Sequence, residues 1–132
     1  MSQGKPEQPV ILLVDDQEID NFLGRTILSR QGFRVQTADS GQQALLRFRE
    51  GRPSAVVIDI YMTGIDGFET CAAIRKLPGG TGVPIILVSG DSGEGLRVRA
   101  SACGADELLD KADDGEEIVR RLRSLLADYA SR

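Results

Sequence analysis

Histidine is missing altogether from the 132 residues. A chain without it cannot run a Ser-His-Asp triad, build an imidazole metal site or serve as its own phosphohistidine donor. Cysteine is scarce: Cys71 and Cys103 stand far apart in sequence and fit no metal-ligand spacing, so they read as isolated free thiols in a reducing cytosol. No apolar run reaches the roughly 18 residues of a membrane span, and MSQGKPEQP is too polar for a signal peptide. The formal net charge of -4 leaves no basic excess for nucleic acid or an anionic membrane. Solubility is its plainer meaning, and the expected location is cytoplasmic.

What is present suits one core: 132 residues at 41% hydrophobic content leave no room for a second domain. Residues 1–8 read as a disordered tail and 9–132 as the domain. PVILLV (9–14) is a continuous apolar run, too short for a helix and rich in branched residues, as a strand buried on both faces would be. From about 17 to 31, Ile19, Phe22, Leu23, Ile27 and Leu28 fall near helical spacing, with Gly32 as a C-cap. FRVQTA (33–38) alternates like an edge strand, and Ser40 with Gln43 forms a capping-box pattern for a helix that Gly51 and Pro53 stop. Strand, helix, strand, helix, strand then follow at 54–59, Phe68 to Leu77, 84–89, about 94 to 103, and 107–110. In the last helix Ile118, Leu122, Leu125, Leu126 and Tyr129 mark one face. Alternation of this kind implies right-handed crossovers and a doubly wound α/β domain, a parallel sheet of five strands covered by five helices.

Every strand ends on, or just before, a polar side chain. The first ends in Asp15 and Asp16, the third in Asp59, the fourth in Ser89, and Lys111 follows the fifth. In an open parallel sheet the reactive crevice lies outside the carboxyl ends of the strands. Strand-end acids are often helix caps, and Asp16 alone could be one, whereas five such groups converging from distant segments make a site. Two carboxylates about 4 Å apart repel by roughly 4 kcal/mol at an effective dielectric of 20, so the cluster needs countercharge. Lys111 supplies one positive charge and a hard divalent ion the rest. Mg2+ is favoured because it shares its shell with phosphate oxygens. Carboxylates, Mg2+ and lysine suit a phosphoryl group, with one aspartate as acceptor.

LLVDDQ, VVIDIYMTGIDGFE, PIILVSG and GADELLDKA occur in the order and spacing of a response-regulator receiver domain of the two-component type, which this chain resembles over about residues 9 to 127. The resemblance implies a flavodoxin-like fold with strand order 2-1-3-4-5 and a signalling domain rather than an enzyme. It makes Asp59 the phosphorylation site. Asp15 and Asp16 would hold Mg2+ directly or through water, together with Asp59 and the backbone carbonyl of Tyr61. Ser89 and Lys111 would contact phosphoryl oxygens. The implied partners are a histidine kinase or histidine phosphotransfer protein and a downstream output protein or domain. The readout surface would be the fourth helix, fifth strand and fifth helix. Arg97, Arg99, Arg120, Arg121 and Arg123 there, beside Asp110, Asp113 and Glu117, either stitch a weak homodimer or simply face solvent. Tyr61 either screens the acyl phosphate from water or packs as an ordinary loop residue, and Asp66 reads as the cap of the third helix.

Three positions depart from the family pattern. Thr63 replaces a common proline, a small change in loop stiffness. Leu108 stands where an aromatic ring usually swings inward, which puts the usual switch in question. Ala112 follows Lys111 where a proline, typically cis, is usual; a non-proline cis bond costs about 2.5–4 kcal/mol, so either a trans bond with a displaced lysine or a strained cis bond is expected. Two other readings remain: a receiver-shaped interaction module indifferent to phosphorylation, and a hydrolase with an aspartyl nucleophile, which lacks the second acid two residues beyond Asp59. Gly90-Asp91-Ser92-Gly93 looks like the nucleophile stretch of chymotrypsin-type proteases, but with no histidine it is a loop coincidence.

Overall fold

Periods of two and of about 3.6 residues alternate along the chain in the computed structural model, which describes residues 8–91, 93–111 and 115–132. The tail expected over 1–8 lies almost wholly outside the described residues, as do Ser92, Ala112 and Asp113, so neither the Lys111–Ala112 bond nor the serine of the protease-like loop is described. The elements are β1 (Val10–Val14), α1 (Glu18–Arg30), β2 (Arg34–Ala38), α2 (Gly41–Gly51) and β3 (Ala55–Asp59), then α3 (Gly67–Arg75), β4 (Ile85–Ser89), α4 (Glu94–Ala102), β5 (Glu107–Asp110) and α5 (Glu116–Ala130). All four strand pairings are parallel and the order is β2-β1-β3-β4-β5. The chain runs outward from β1 to β2, then crosses to β3 on the other side of β1. That reversal puts the switch point between β1 and β3, where Asp15 and Asp59 emerge.

Strand alternation divides the core in two. Leu12, Val14, Val56, Ile58, Ile85 and Leu87 face one side, where Phe48 of α2, Phe68 and Ile74 of α3 and Ala100 of α4 cover them. Ile11, Leu13, Val57, Ile86 and Val88 face the other side, under Leu28 of α1 and Val119, Leu122 and Leu125 of α5. β3 and β4 are buried at every position, as their unbroken apolar runs require. Each buried Leu, Ile or Val contributes about 1.5–3 kcal/mol, so these central strands are the rigid floor from which the strand-end polar groups project.

Helix ends explain the element boundaries. Gly32, at φ +94°, donates to the Ser29 carbonyl while Phe33 donates to that of Leu28, so α1 closes in a Schellman motif as the glycine implied. Gly104 and Ala105 end α4 in the same way. Asp66 and Glu69 form a full capping box on α3. Ser40 accepts the Gln43 N–H at 3.0 Å, but the Gln43 side chain reaches the N–H of Asp39, one residue further back. Gly51 is the last residue of α2, and the left-handed turn that ends the helix falls on Arg52, at φ 43°.

Candidate functional site

Parallel strands bring their carboxyl ends to one edge, and the five groups singled out in the sequence lie at that edge. Asp15, Asp16 and Asp59 each offer a carboxylate oxygen within 4.8 Å of the others. Asp15 and Asp59 are buried, each only 5% exposed. Lys111 places Nζ 2.8 Å from Asp15 Oδ2 and 3.4 Å from Asp59 Oδ2. Its backbone N–H donates to the Ser89 carbonyl at 2.8 Å, which carries the β4–β5 ladder one step beyond Asp110. Ser89 is fully buried one position past Val88, the ladder partner of Asp59, and its hydroxyl accepts the Asp91 N–H at 3.0 Å. Tyr61 lies in the loop just beyond β3 with its side chain 54% exposed.

Other residues hold these groups in place. The Gln17 N–H donates to Asp15 Oδ1 at 2.9 Å, and Asn21 Nδ2 donates to the Asp15 carbonyl at 2.6 Å and that of Ala38 at 3.2 Å, tying β1, β2 and α1 together at the mouth. Gly67 lets α3 approach β3: a Cβ there would meet the Asp59 carbonyl oxygen at 2.6 Å and Ile60 Cα at 2.7 Å. β3 and the helix after it can meet this closely only without a side chain.

The local charges act in opposite directions. Burial, with Asp15 nearby, lifts the Asp59 carboxyl from 3.8 to about 6, despite opposing contacts from Lys111 and the Tyr61 backbone. Asp16 is held below the usual carboxylate range, chiefly by the Thr63 N–H. Burial works against the Lys111 ammonium, but hydrogen bonds to Asp15 and Asp20 outweigh it and move the group above its ordinary range. Three acids and one ammonium leave this cluster electronegative, with oxygen donors of the kind a hard divalent cation takes.

Two residues at the mouth are not evident from the sequence. Asp20 lies 2.9 Å from Lys111 Nζ, closer than Asp59. It stands in the first turn of α1, and nothing in its immediate sequence points to Lys111. Thr63 does more than alter loop stiffness: its N–H and hydroxyl both donate to Asp16 Oδ2, at 2.9 and 3.0 Å. A proline has no N–H and could not make the first of these bonds.

Other expectations need amending. Cys71 and Cys103 are not isolated: packing of α3 against the end of α4 brings the Cys71 thiol 3.4 Å from the Cys103 carbonyl, to which it donates. Hydrogen bonding with Cys103 and burial push the Cys71 thiol up. Ile19, Phe22 and Leu23 keep helical spacing but are all more than half exposed, and Leu28 is the buried residue of α1. The arginines of the expected readout surface are largely engaged within the chain. Arg120 pairs with Glu117, Arg121 with Glu107, Arg99 with Asp66, and Arg123 donates to the Gln31 carbonyl. Leu108 is half-buried against the core.

The response regulator receiver domain family matches residues 11–123 of this sequence. The chain belongs to that family. Transcriptional regulatory protein AfsQ1 of Streptomyces coelicolor is 36% identical over 118 residues, 89% of this chain and 51% of AfsQ1. This receiver spans about half the length of the curated relatives it matches. Among solved structures, response regulator TrrA of Thermotoga maritima in complex with Mg(2+)-BeF is 31% identical with a TM-score of 0.80, covering 89% of this chain and 99% of that one. Chemotaxis protein CheY4 of Vibrio cholerae, 24% identical with a TM-score of 0.87 over 90% of this chain and 99% of its own, shares the flavodoxin-like fold. The receiver is thus a signalling domain of the two-component type, and no described helix is long and apolar enough to cross a membrane.

Proposed function

We propose that this receiver accepts a phosphoryl group on Asp59 from a histidine kinase or a histidine phosphotransfer protein. The observation that carries the reading is the buried Asp59 carboxylate with Lys111 Nζ at 3.4 Å and two further aspartates beside it, on the end of a strand buried along its whole length. An Asp59 oxygen attacks the phosphorus of the donor phosphohistidine, the P–N bond breaks, and its electron pair returns to the donor imidazole. Asp15, Asp16 and Asp59, with the Tyr61 carbonyl, would hold Mg2+, and their oxygen donors fit such an ion. When bound, Mg2+ would neutralise charge on the transferring group. Lys111 would meet one phosphoryl oxygen. Another would be met by the Ser89 hydroxyl, which accepts the Asp91 N–H and still has a proton to donate.

The outcome would be a shift between two arrangements of the domain, since the added charge gains contacts in only one of them. We read the domain as a cytoplasmic acceptor that switches the binding of an output protein or domain, and not as a turnover enzyme. Residues 9–132 would form the whole receiver unit. The intramolecular pairing of Arg99, Arg120 and Arg121 favours a solvated α4-β5-α5 face in the resting state over a homodimer.

Incubation with radiolabelled acetyl phosphate tests the reading. Label that is alkali-labile, needs Mg2+ and is abolished by a chelator supports it. Stable exclusion of label with Mg2+ present, from acetyl phosphate and histidine kinases alike, favours a module that signals without phosphorylation.

A further inference from the structure

Lys111 pairs its ammonium with three carboxylates: Asp15 at 2.8 Å, to which it donates, Asp20 at 2.9 Å and Asp59 at 3.4 Å. The first and last belong to the strand-end cluster, but Asp20 is carried by the first turn of α1 and offers no oxygen to that cluster. It is partly exposed, with 35% of its side chain open to solvent. The grip is therefore asymmetric, with the ammonium held closer to Asp15 and Asp20 than to the acceptor Asp59. We infer that Asp20 is a positioning residue that holds Lys111 in its resting place and must surrender it when the phosphoryl group arrives. This deepens the phosphoacceptor reading and rests on it.

Charge sets the constraint. Three carboxylates crowd one ammonium, so an arriving phosphoryl oxygen must compete with them for it. Asp15 lies in the metal cluster and is buried; Asp20 is the more exposed partner, held in the higher dielectric, and is the cheaper bond to break. Its release would also separate α1 from the end of β5, the two elements that this ion pair joins. Phosphorylation would then be felt on the α1 side of the sheet without any aromatic ring on β5, where Leu108 stands.

Asp20→Asn keeps the shape of the side chain and removes its charge. In the variant Lys111 faces one carboxylate fewer and is freer for an anion, while its hold on Asp15 and Asp59, which a cation needs, becomes tighter. Binding of beryllofluoride at saturating Mg2+ is therefore expected to strengthen, and binding of Mg2+ alone to weaken, each by about two- to fivefold. A merely structural role would not move the two in opposite directions. The chain lacks tryptophan, so amide NMR titration is the suitable readout.

A double-mutant cycle separates the latch from a simple field effect. In a Lys111→Met background the strengthening by Asp20→Asn must disappear; if it persists, or if beryllofluoride binding is unchanged or weaker in Asp20→Asn alone, the inference is overturned. A wild type that takes no beryllofluoride at all overturns the phosphoacceptor reading as well, which distinguishes the two failures.

Discussion

Lys111 stands 2.8 Å from Asp15 across 96 positions of sequence. The contact joins the end of β5 to the end of β1, two strands with β3 and β4 between them. Only closure of the sheet in its observed order brings them together. In the metal-free protein this ion pair is the countercharge that makes the buried Asp15 and Asp59 tolerable side by side.

The strain that remains should appear in pH-dependent stability. Because the Asp59 carboxyl is lifted to about 6, the folded protein binds a proton more readily than the unfolded chain between pH about 4 and 6. Stability therefore falls as pH rises through that window. A carboxyl lifted this far costs at most about 3 kcal/mol when ionised, less whatever solvent reaching the crevice screens. Metal-free Asp59→Asn is expected to be more stable than wild type at pH 7 by ~1–3 kcal/mol, with the difference vanishing near pH ~3.5, where both side chains are neutral. Urea unfolding at the two pH values checks this.

Thr63 holds Asp16 through a side-chain as well as a backbone bond. In Thr63→Val the backbone bond remains and the hydroxyl bond is lost. The Asp16 carboxyl should then titrate at a higher pH than in wild type, still below its free value, and carboxyl-detected NMR titration of the metal-free protein reads the change directly.

Gly67 predicts a coupled defect. The Cβ of Gly67→Ala would press on backbone atoms of Asp59 and Ile60, which cannot swing aside as a side-chain tip can. A loss of about 1–3 kcal/mol is expected, together with loss of Mg2+ and beryllofluoride binding, because the displaced backbone carries Asp59. Gly90→Ala is the control: a Cβ there meets nothing within 4 Å, and stability should be nearly unchanged.

At the opposite end of the sheet, Arg75 donates to the carbonyls of Gly80, Val83 and Gly104 and pairs with Asp106 at 3.1 Å. Asp106 also accepts the Ile85 N–H and the Tyr129 hydroxyl. Asp106→Ala leaves the guanidinium its three carbonyls but strands a backbone N–H and a phenol, and should cost about 2–4 kcal/mol. Tyr129→Phe removes one bond and should cost about 1 kcal/mol. Thermal unfolding distinguishes the two, and neither change should alter Mg2+ binding.

The parts of this molecule legible in its sequence are those fixed by local chemistry. Unbroken runs such as PIILVS become buried strands because a parallel sheet covered on both faces leaves no polar side, and Asp66 with Glu69 forms a cap because the pattern satisfies its own backbone. Carboxylates at strand ends are legible for the same reason. Contacts set by tertiary packing are not. Nothing local to Asp20 marks Lys111 as its partner, and nothing local to Cys71 marks Cys103. The outward turn of Ile19, Phe22 and Leu23 is equally unreadable from periodicity, which gives the spacing of an apolar face without saying what, if anything, lies against it.

The most direct test of the account is to locate the phosphoryl group. Wild-type protein treated with acetyl phosphate and Mg2+, trapped by borohydride reduction and mapped by tandem mass spectrometry, should carry the modification at Asp59 alone, and Asp59→Asn should carry none. Modification at another aspartate in the wild type, or undiminished labelling of Asp59→Asn, would contradict it.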